Sequence, residues 1–148
     1  MNVREIMTEN PVYCTDRTSL HDVAQMMAEH DCGCIPVVES EENRKPIGMI
    51  TDRDITIRTV AHNKNPLQMI VGEVMTDAAV TVTPETSVEQ CCQAMERNQV
   101  RRVAVVDESG VLCGMVAQAD VARKADEAKT AELVKDVSQP EQTATASQ

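Results

Sequence analysis

The chain has 148 residues, enough for one domain or for two small subdomains sharing a core. Its 24 acidic and 14 basic residues give a formal charge of −10, which repels nucleic-acid backbones and anionic membrane surfaces. One compact phosphate is still compatible with that charge, because a local Arg pair outweighs a distant screened field at contact range. The single Tyr and the absence of Phe and Trp leave Val, Ile, Leu, Met, Ala and Cys to build the core, with nine Met to make it adaptable. No stretch approaches the ~20 apolar residues of a membrane span. The opening "MNVREIMTEN" has no apolar run of the signal-peptide kind. A cytoplasmic location and six reduced cysteines are the expectation.

In chain order, a short strand is expected over Val12–Thr15. Ser19 followed three residues later by Asp22 starts a helix, and Leu20, Val23, Ala24 and Met27 keep helical spacing. "CIPVV" and "IGMIT" flank a polar turn and read as a hairpin, followed by a helix from Asp52 to Val60. "HNKNPLQMIVG" reads as a linker. The same order then returns. A strand covers Val80–Thr83, and Thr86 with Glu89 or Ser87 with Gln90 makes a capping box. A helix carries Val88, Cys91, Cys92 and Met95, a hairpin joins "RVAVV" to "LCGMVA", and a helix runs from Gln118 to Ala128. "TAELVKDV" adds a further turn or two of helix, and "SQPEQTATASQ" has too little apolar surface to fold.

The recurrence is a duplication. Laid over each other, Met7 meets Met75, Thr8 meets Thr76, Val12 meets Val80 and Val38 meets Val106. Past the hairpin turn, where "ESEENRKP" is longer than "DESGVL", Gly48 meets Gly114. The expected division is unit 1 over 1–62, a linker over 63–70, unit 2 over 71–128 and a partly disordered tail over 129–148.

Two tandem units of strand, helix, strand, strand, helix, ending in "GMITDRDI" and "GMVAQADV", resemble the cystathionine-β-synthase (CBS) domain pair, or Bateman module. The resemblance spans about residues 1 to 126 and implies a stand-alone pair. The implied fold is α/β, in the α+β sense: two β-α-β-β-α units about a pseudo-twofold axis, usually paired into disc-shaped homodimers. It implies no enzyme activity and no required cofactor. The implied ligand is an adenosine-containing nucleotide in the inter-unit cleft: AMP, ADP or ATP, less readily S-adenosylmethionine or NAD.

Carried over residue by residue, the family's motif hydroxyl and carboxylate fall on Thr51 and Asp54. In the second copy only Asp120 remains, because Ala117 replaces the hydroxyl. A carboxylate accepts both hydroxyls of a ribose diol, and a helix N-terminus offers N–H groups to phosphate, with Arg53 adding charge. Equally, Thr51 caps the helix and Asp54 complements its dipole; the two roles coexist. Asp120 reads the same way, as ribose contact or as a first-turn carboxylate. The expectation is one complete site at Asp54 and one degraded or empty site at Asp120.

Arg101 and Arg102 precede a buried strand, so at least one points toward the cleft as a phosphate contact, or both pair with surface carboxylates. Ile35 and Pro36 wall the adenine pocket or belong to the core. Thr15 and Thr83 end the first strands, where they meet the base or make turns. Cys32-Gly33-Cys34 and Cys91-Cys92 lack the C-x-x-C spacing and the His pairs of zinc sites. The function expected is a regulatory module that binds a nucleotide and signals to a partner protein. The rivals are a structural or interaction dimer with vestigial clefts, and a thiol-based redox-responsive protein using Cys32 or Cys34.

Overall fold

The computed structural model describes residues 1–77 and 79–137, with side chains as far as Ala128. Two four-stranded sheets are formed. The first unit contributes β1 (Thr8–Glu9), β2 (Cys14–Thr15), α1 (Leu20–His30), β3 (Cys34–Val38), β4 (Pro46–Thr51) and α2 (Asp52–Arg58). The second contributes β5 (Thr76–Asp77), β6 (Thr81–Val82), α3 (Val88–Asn98), β7 (Arg102–Val106), β8 (Leu112–Ala117) and α4 (Gln118–Val137). The sheet orders are β2-β3-β4-β5 and β6-β7-β8-β1, so each sheet takes its edge strand from the other unit's side of the chain. This is the mixed α+β architecture that the sequence predicts.

The local chemistry repeats as the sequence does. Ser19 and Ser87 cap α1 and α3, accepting from Asp22 N–H and Gln90 N–H at 3.0 Å each. The capping box therefore forms on Ser87 and Gln90, while the Thr86 hydroxyl accepts from Thr83 N–H in the preceding turn. Both helices end on a left-handed residue, Asp31 and Gln99. Both hairpins carry a register shift at the same place, Val37/Val38 and Val105/Val106.

The connection read as a polar linker folds into two 3-10 turns, Pro66–Gln68 and Val71–Glu73. From Met69 onward it belongs to the first unit's core. Val71 and Val74 are buried among Leu20, Val23 and Ile35, and Val71 N–H bonds to Thr18 C=O at 2.8 Å. The N-terminus repeats this against the second unit: Val3 is buried with Val82, Cys91 and Val103, and its N–H bonds to Thr86 C=O at 2.8 Å. A third cluster, Val38, Ala104 and Leu112 with Tyr13, Met49 and Met115 around them, joins residues of both sheets. Helix α4 continues past residue 128 to Val137, as the Ala-, Glu- and Lys-rich "ADEAKTAELVKDV" favours. The rest of the predicted tail, 138–148, lies outside the described residues.

Candidate functional site

Each hairpin delivers its last strand directly into a helix, and the junction fixes a carboxylate. In the first unit Thr51 ends β4 with extended backbone and caps α2. Its hydroxyl accepts from Asp54 N–H at 3.0 Å, and Asp54 Oδ2 accepts from Thr51 N–H at 3.1 Å. The capping reading of this pair is thus realised in full. Asp54 is only 8% exposed. Its Oδ2 also lies 3.5 Å from the Thr76 hydroxyl, and its Oδ1 lies 3.8 Å from Arg58. Arg58 further donates to Val74 C=O and Met75 C=O at 2.9 Å each, tying α2 to the chain entering β5.

In the second unit Asp120 Oδ2 accepts from Ala117 N–H at 2.8 Å, the same bond in the second copy. Its other oxygen accepts from Arg123, which is 66% exposed. Ala117 offers no hydroxyl, so the other half of the box is missing.

A cleft of about 390 Å³ opens beside this second carboxylate. Asp120, Ala117, Met115 and Arg102 line it from the second unit, and Thr8, Asn10, Pro11, Val12, His30, Cys32, Cys34 and Pro36 from the first. Arg102 stands opposite Ala117 in the β7–β8 register, where the first unit pairs Cys34 with Thr51. Among the described residues Arg102 is in no ion pair. The cleft therefore holds a guanidinium available to an anion and a carboxylate already oriented by a backbone N–H.

Of the sequence candidates, Arg102, Asp120 and Pro36 line this cleft, and Thr51, Asp54, Arg53, Arg101, Ile35, Thr15 and Thr83 do not. Thr51 and Asp54 sit at the equivalent junction of the first unit. Arg53 and Arg101 are exposed, and Arg101 C=O accepts from Gln118 N–H at 2.8 Å. Ile35 is fully buried in the first core. The Thr15 and Thr83 amides donate to Thr18 and Thr86 in matching turns, and Thr83 borders a separate groove with Arg4, Glu85 and Asp107. His30, Thr8, Asn10 and Pro11 are not among the sequence candidates, and Cys32 is among them only as a redox thiol. The signal for them was present, since "CGC" and the repeated Met-Thr segment were both visible, but not the wall they make together.

Burial pushes the thiols up: Cys14 to about 12 and Cys34 to about 11, with Arg102 drawing Cys34 back down. All six cysteines are free. Among the described residues no group of three or more His, Cys, Asp or Glu could hold a metal ion, and no helix is long and apolar enough to cross a membrane.

Two units of this order, each closing on a strand–helix junction whose carboxylate accepts from a backbone N–H, and meeting at a shared cleft, define a tandem-repeat module of the Bateman kind. The CBS domain model matches residues 3–58 and 71–127, and the chain belongs to that family. It is similar to hypoxic response protein 1 of Mycobacterium tuberculosis, 34% identical over 93% of this chain and 94% of that protein. The crystal structure of hypoxic response protein I with two coordinated zinc ions superposes with a TM-score of 0.73 at 33% identity, covering 83% of this chain and 98% of that one. The CBS domain-containing protein YhcV of Bacillus subtilis is 36% identical over 82% of this chain and 83% of its own length. The CBS domain pair of protein MJ0100, solved with 5'-methylthioadenosine and S-adenosyl-L-methionine, superposes with a TM-score of 0.74 at 26% identity, covering 83% of this chain and 98% of that one.

Proposed function

We propose that this chain is a regulatory module that takes an adenosine-containing ligand in the Asp120 cleft and passes its occupancy to a partner protein. The observation that carries the reading is the pairing of Arg102 and Asp120 in one open cleft lined by both units. Asp120 accepts the ribose hydroxyls, displacing the exposed Arg123 from its Oδ1, while Ala117 N–H keeps the carboxylate aimed. Arg102 binds the phosphate of AMP, ADP or ATP, with S-adenosylmethionine and NAD as the lesser candidates. The ligands bound by the MJ0100 pair share the adenosine half of this set. Because both units line the cleft, a bound ligand favours one relative arrangement of them, to the extent that it binds that arrangement more tightly.

Calorimetric titration with AMP, ADP, ATP, NAD and S-adenosylmethionine tests this. Two charge-assisted hydrogen bonds of about 1.5–3 kcal/mol each predict at least a tenfold loss of affinity in Asp120→Asn. Arg102→Ala should weaken the phosphorylated ligands more than S-adenosylmethionine, and Asp54→Asn should change affinity less than threefold. A loss in Asp54→Asn with Asp120→Asn unaffected moves the site to the first unit. Binding of none of the five favours the second reading, an interaction dimer with vestigial clefts. That reading draws on the exposed apolar residues Ile57 of α2 and Val60, Leu67 and Ile70 of the connection after it.

A further inference from the structure

We propose that Cys32 is a thiol–disulfide exchange site inside this cleft, selective for small anionic disulfides, and that a mixed disulfide there closes the cleft to its ligand. The exchange itself stands on the cleft's geometry; only the closure rests on the ligand reading above.

Two thiols, Cys32 and Cys34, line the same cleft as the guanidinium of Arg102. They are not equivalent. Cys34 begins β3, lies 3.9 Å from the Met49 sulfur, and is held protonated by burial. Cys14 and Cys91 are buried in the two cores. Cys32 lies before the strand, half-buried, in the wall beside His30, with its own N–H bonded to Met27 C=O at the end of α1. It is the cleft thiol outside the strands, packed at the edge of the first core.

Gly33, between the two thiols, makes a bend before β3 and is pinned. Its C=O accepts from Asp52 N–H at 3.0 Å, and even a Cβ on it would meet the Asp52 carboxylate at 2.9 Å. The proposed product is a mixed disulfide with an outside thiol, and an internal Cys32–Cys34 bridge forming in its place under oxidised glutathione overturns it. The Cys32 thiol gives up its proton to solvent, and the thiolate attacks one sulfur of the small disulfide. A new S–S bond forms as the old one breaks, and the departing thiolate takes up a proton. Arg102, lining the same cleft from the second unit and without an ion-pair partner among the described residues, favours a disulfide that carries carboxylates.

The test uses the full reduced chain, oxidised glutathione as the anionic probe and bis(2-hydroxyethyl) disulfide as the uncharged one, with adducts located by peptide mass mapping. The first glutathione adduct should fall on Cys32, at least fivefold faster than on Cys92 or Cys113. Arg102→Ala should slow the glutathione reaction severalfold and leave the uncharged one unchanged. First modification elsewhere, or equal slowing of both probes, overturns the exchange site. For the closure, the adduct should lower nucleotide affinity at least tenfold, reduction should restore it, and Cys32→Ser should be indifferent to oxidised glutathione. An adduct that leaves affinity unchanged overturns the closure. If no nucleotide binds while Cys32 still reacts selectively, the ligand reading falls, the closure falls with it, and the exchange site stands.

Discussion

The two units agree in nearly every backbone feature and differ at one seam, where an incoming segment is laid against the last strand and helix. In the first unit the segment Val74–Asp77 is clasped: Arg58 holds two of its carbonyls and Asp54 meets Thr76. In the second unit the segment Ile6–Glu9 lies in the matching place, but Lys124, which stands where the first unit has Arg58, pairs with Glu127 on its own helix. Arg123 turns to Asp120 instead. The cleft opens on this second, unclasped side, and Thr8 of the incoming segment is part of its wall. Duplication preserved the scaffold, and a few side chains at the seam decide how firmly each half is closed.

The largest expected difference is at the paired motif glycines. A Cβ on Gly48 would lie 2.3 Å from Thr76 C=O and 2.4 Å from the Met75 methyl, so the clasped strand must move to admit it. On Gly114 it would meet the flexible Met7 sulfur at 2.7 Å and Thr8 C=O at 3.2 Å. Gly48→Ala should cost about 3 kcal/mol and Gly114→Ala about 1 kcal/mol in urea unfolding, the two ends of the overpacking range. Equal costs would mean that both seams are equally tight and would break the comparison.

Next is the clasp itself. Arg58 is 44% exposed, so its two carbonyl bonds are worth the low end for a charged donor. Arg58→Ala should destabilise by about 1–2 kcal/mol and speed amide exchange at Thr76 and Asp77. Arg123→Ala, at a site 66% exposed, should stay within about 0.5 kcal/mol. If amide exchange in the 74–77 segment does not change, Arg58 is a surface contact and not a clasp.

Much of this was legible in the sequence because it is local. The two hairpins, the Ser19 and Ser87 caps and the duplication all follow from spacing and residue type within a few positions. The crossed segments were not. "EIMTEN" and "EVMTDA" align as repeats, yet strands of two residues carry no periodicity, and nothing in their composition says which sheet each one borders. The same limit hid the cleft proposed above. Thr51 and Asp54 carry both polar groups of the motif, and side-chain lists do not show that Arg58 and Thr76 lie 3.8 and 3.5 Å from that carboxylate while Arg123 holds Asp120. Nor do they show that Cys32, His30 and Arg102 reach one cleft from opposite units. Ile35 read equally well as pocket wall or core, and only the packing of α1 and the 69–75 segment over it decides for core.

The smallest expected effect probes the one position where the second unit lost a polar atom. Ala117 occupies the N-cap place of α4 that Thr51 occupies on α2, so Asp120 N–H has no side-chain acceptor of the kind that Asp54 N–H finds at 3.0 Å. Ala117→Thr should complete the box with Asp120, whose carboxylate already accepts from residue 117 N–H. A restored cap is worth about 1 kcal/mol, visible as a raised unfolding midpoint. The same hydroxyl would project beside Arg102, its neighbour across the β7–β8 register, at the wall of the cleft. A gain in stability together with severalfold tighter nucleotide binding would assign the missing hydroxyl a ligand role as well as a structural one. A gain in stability alone would make it a cap and leave Asp120 and Arg102 as the recognition pair. No gain of either kind would mean that the second junction has a geometry of its own, and that its likeness to the first ends at the carboxylate.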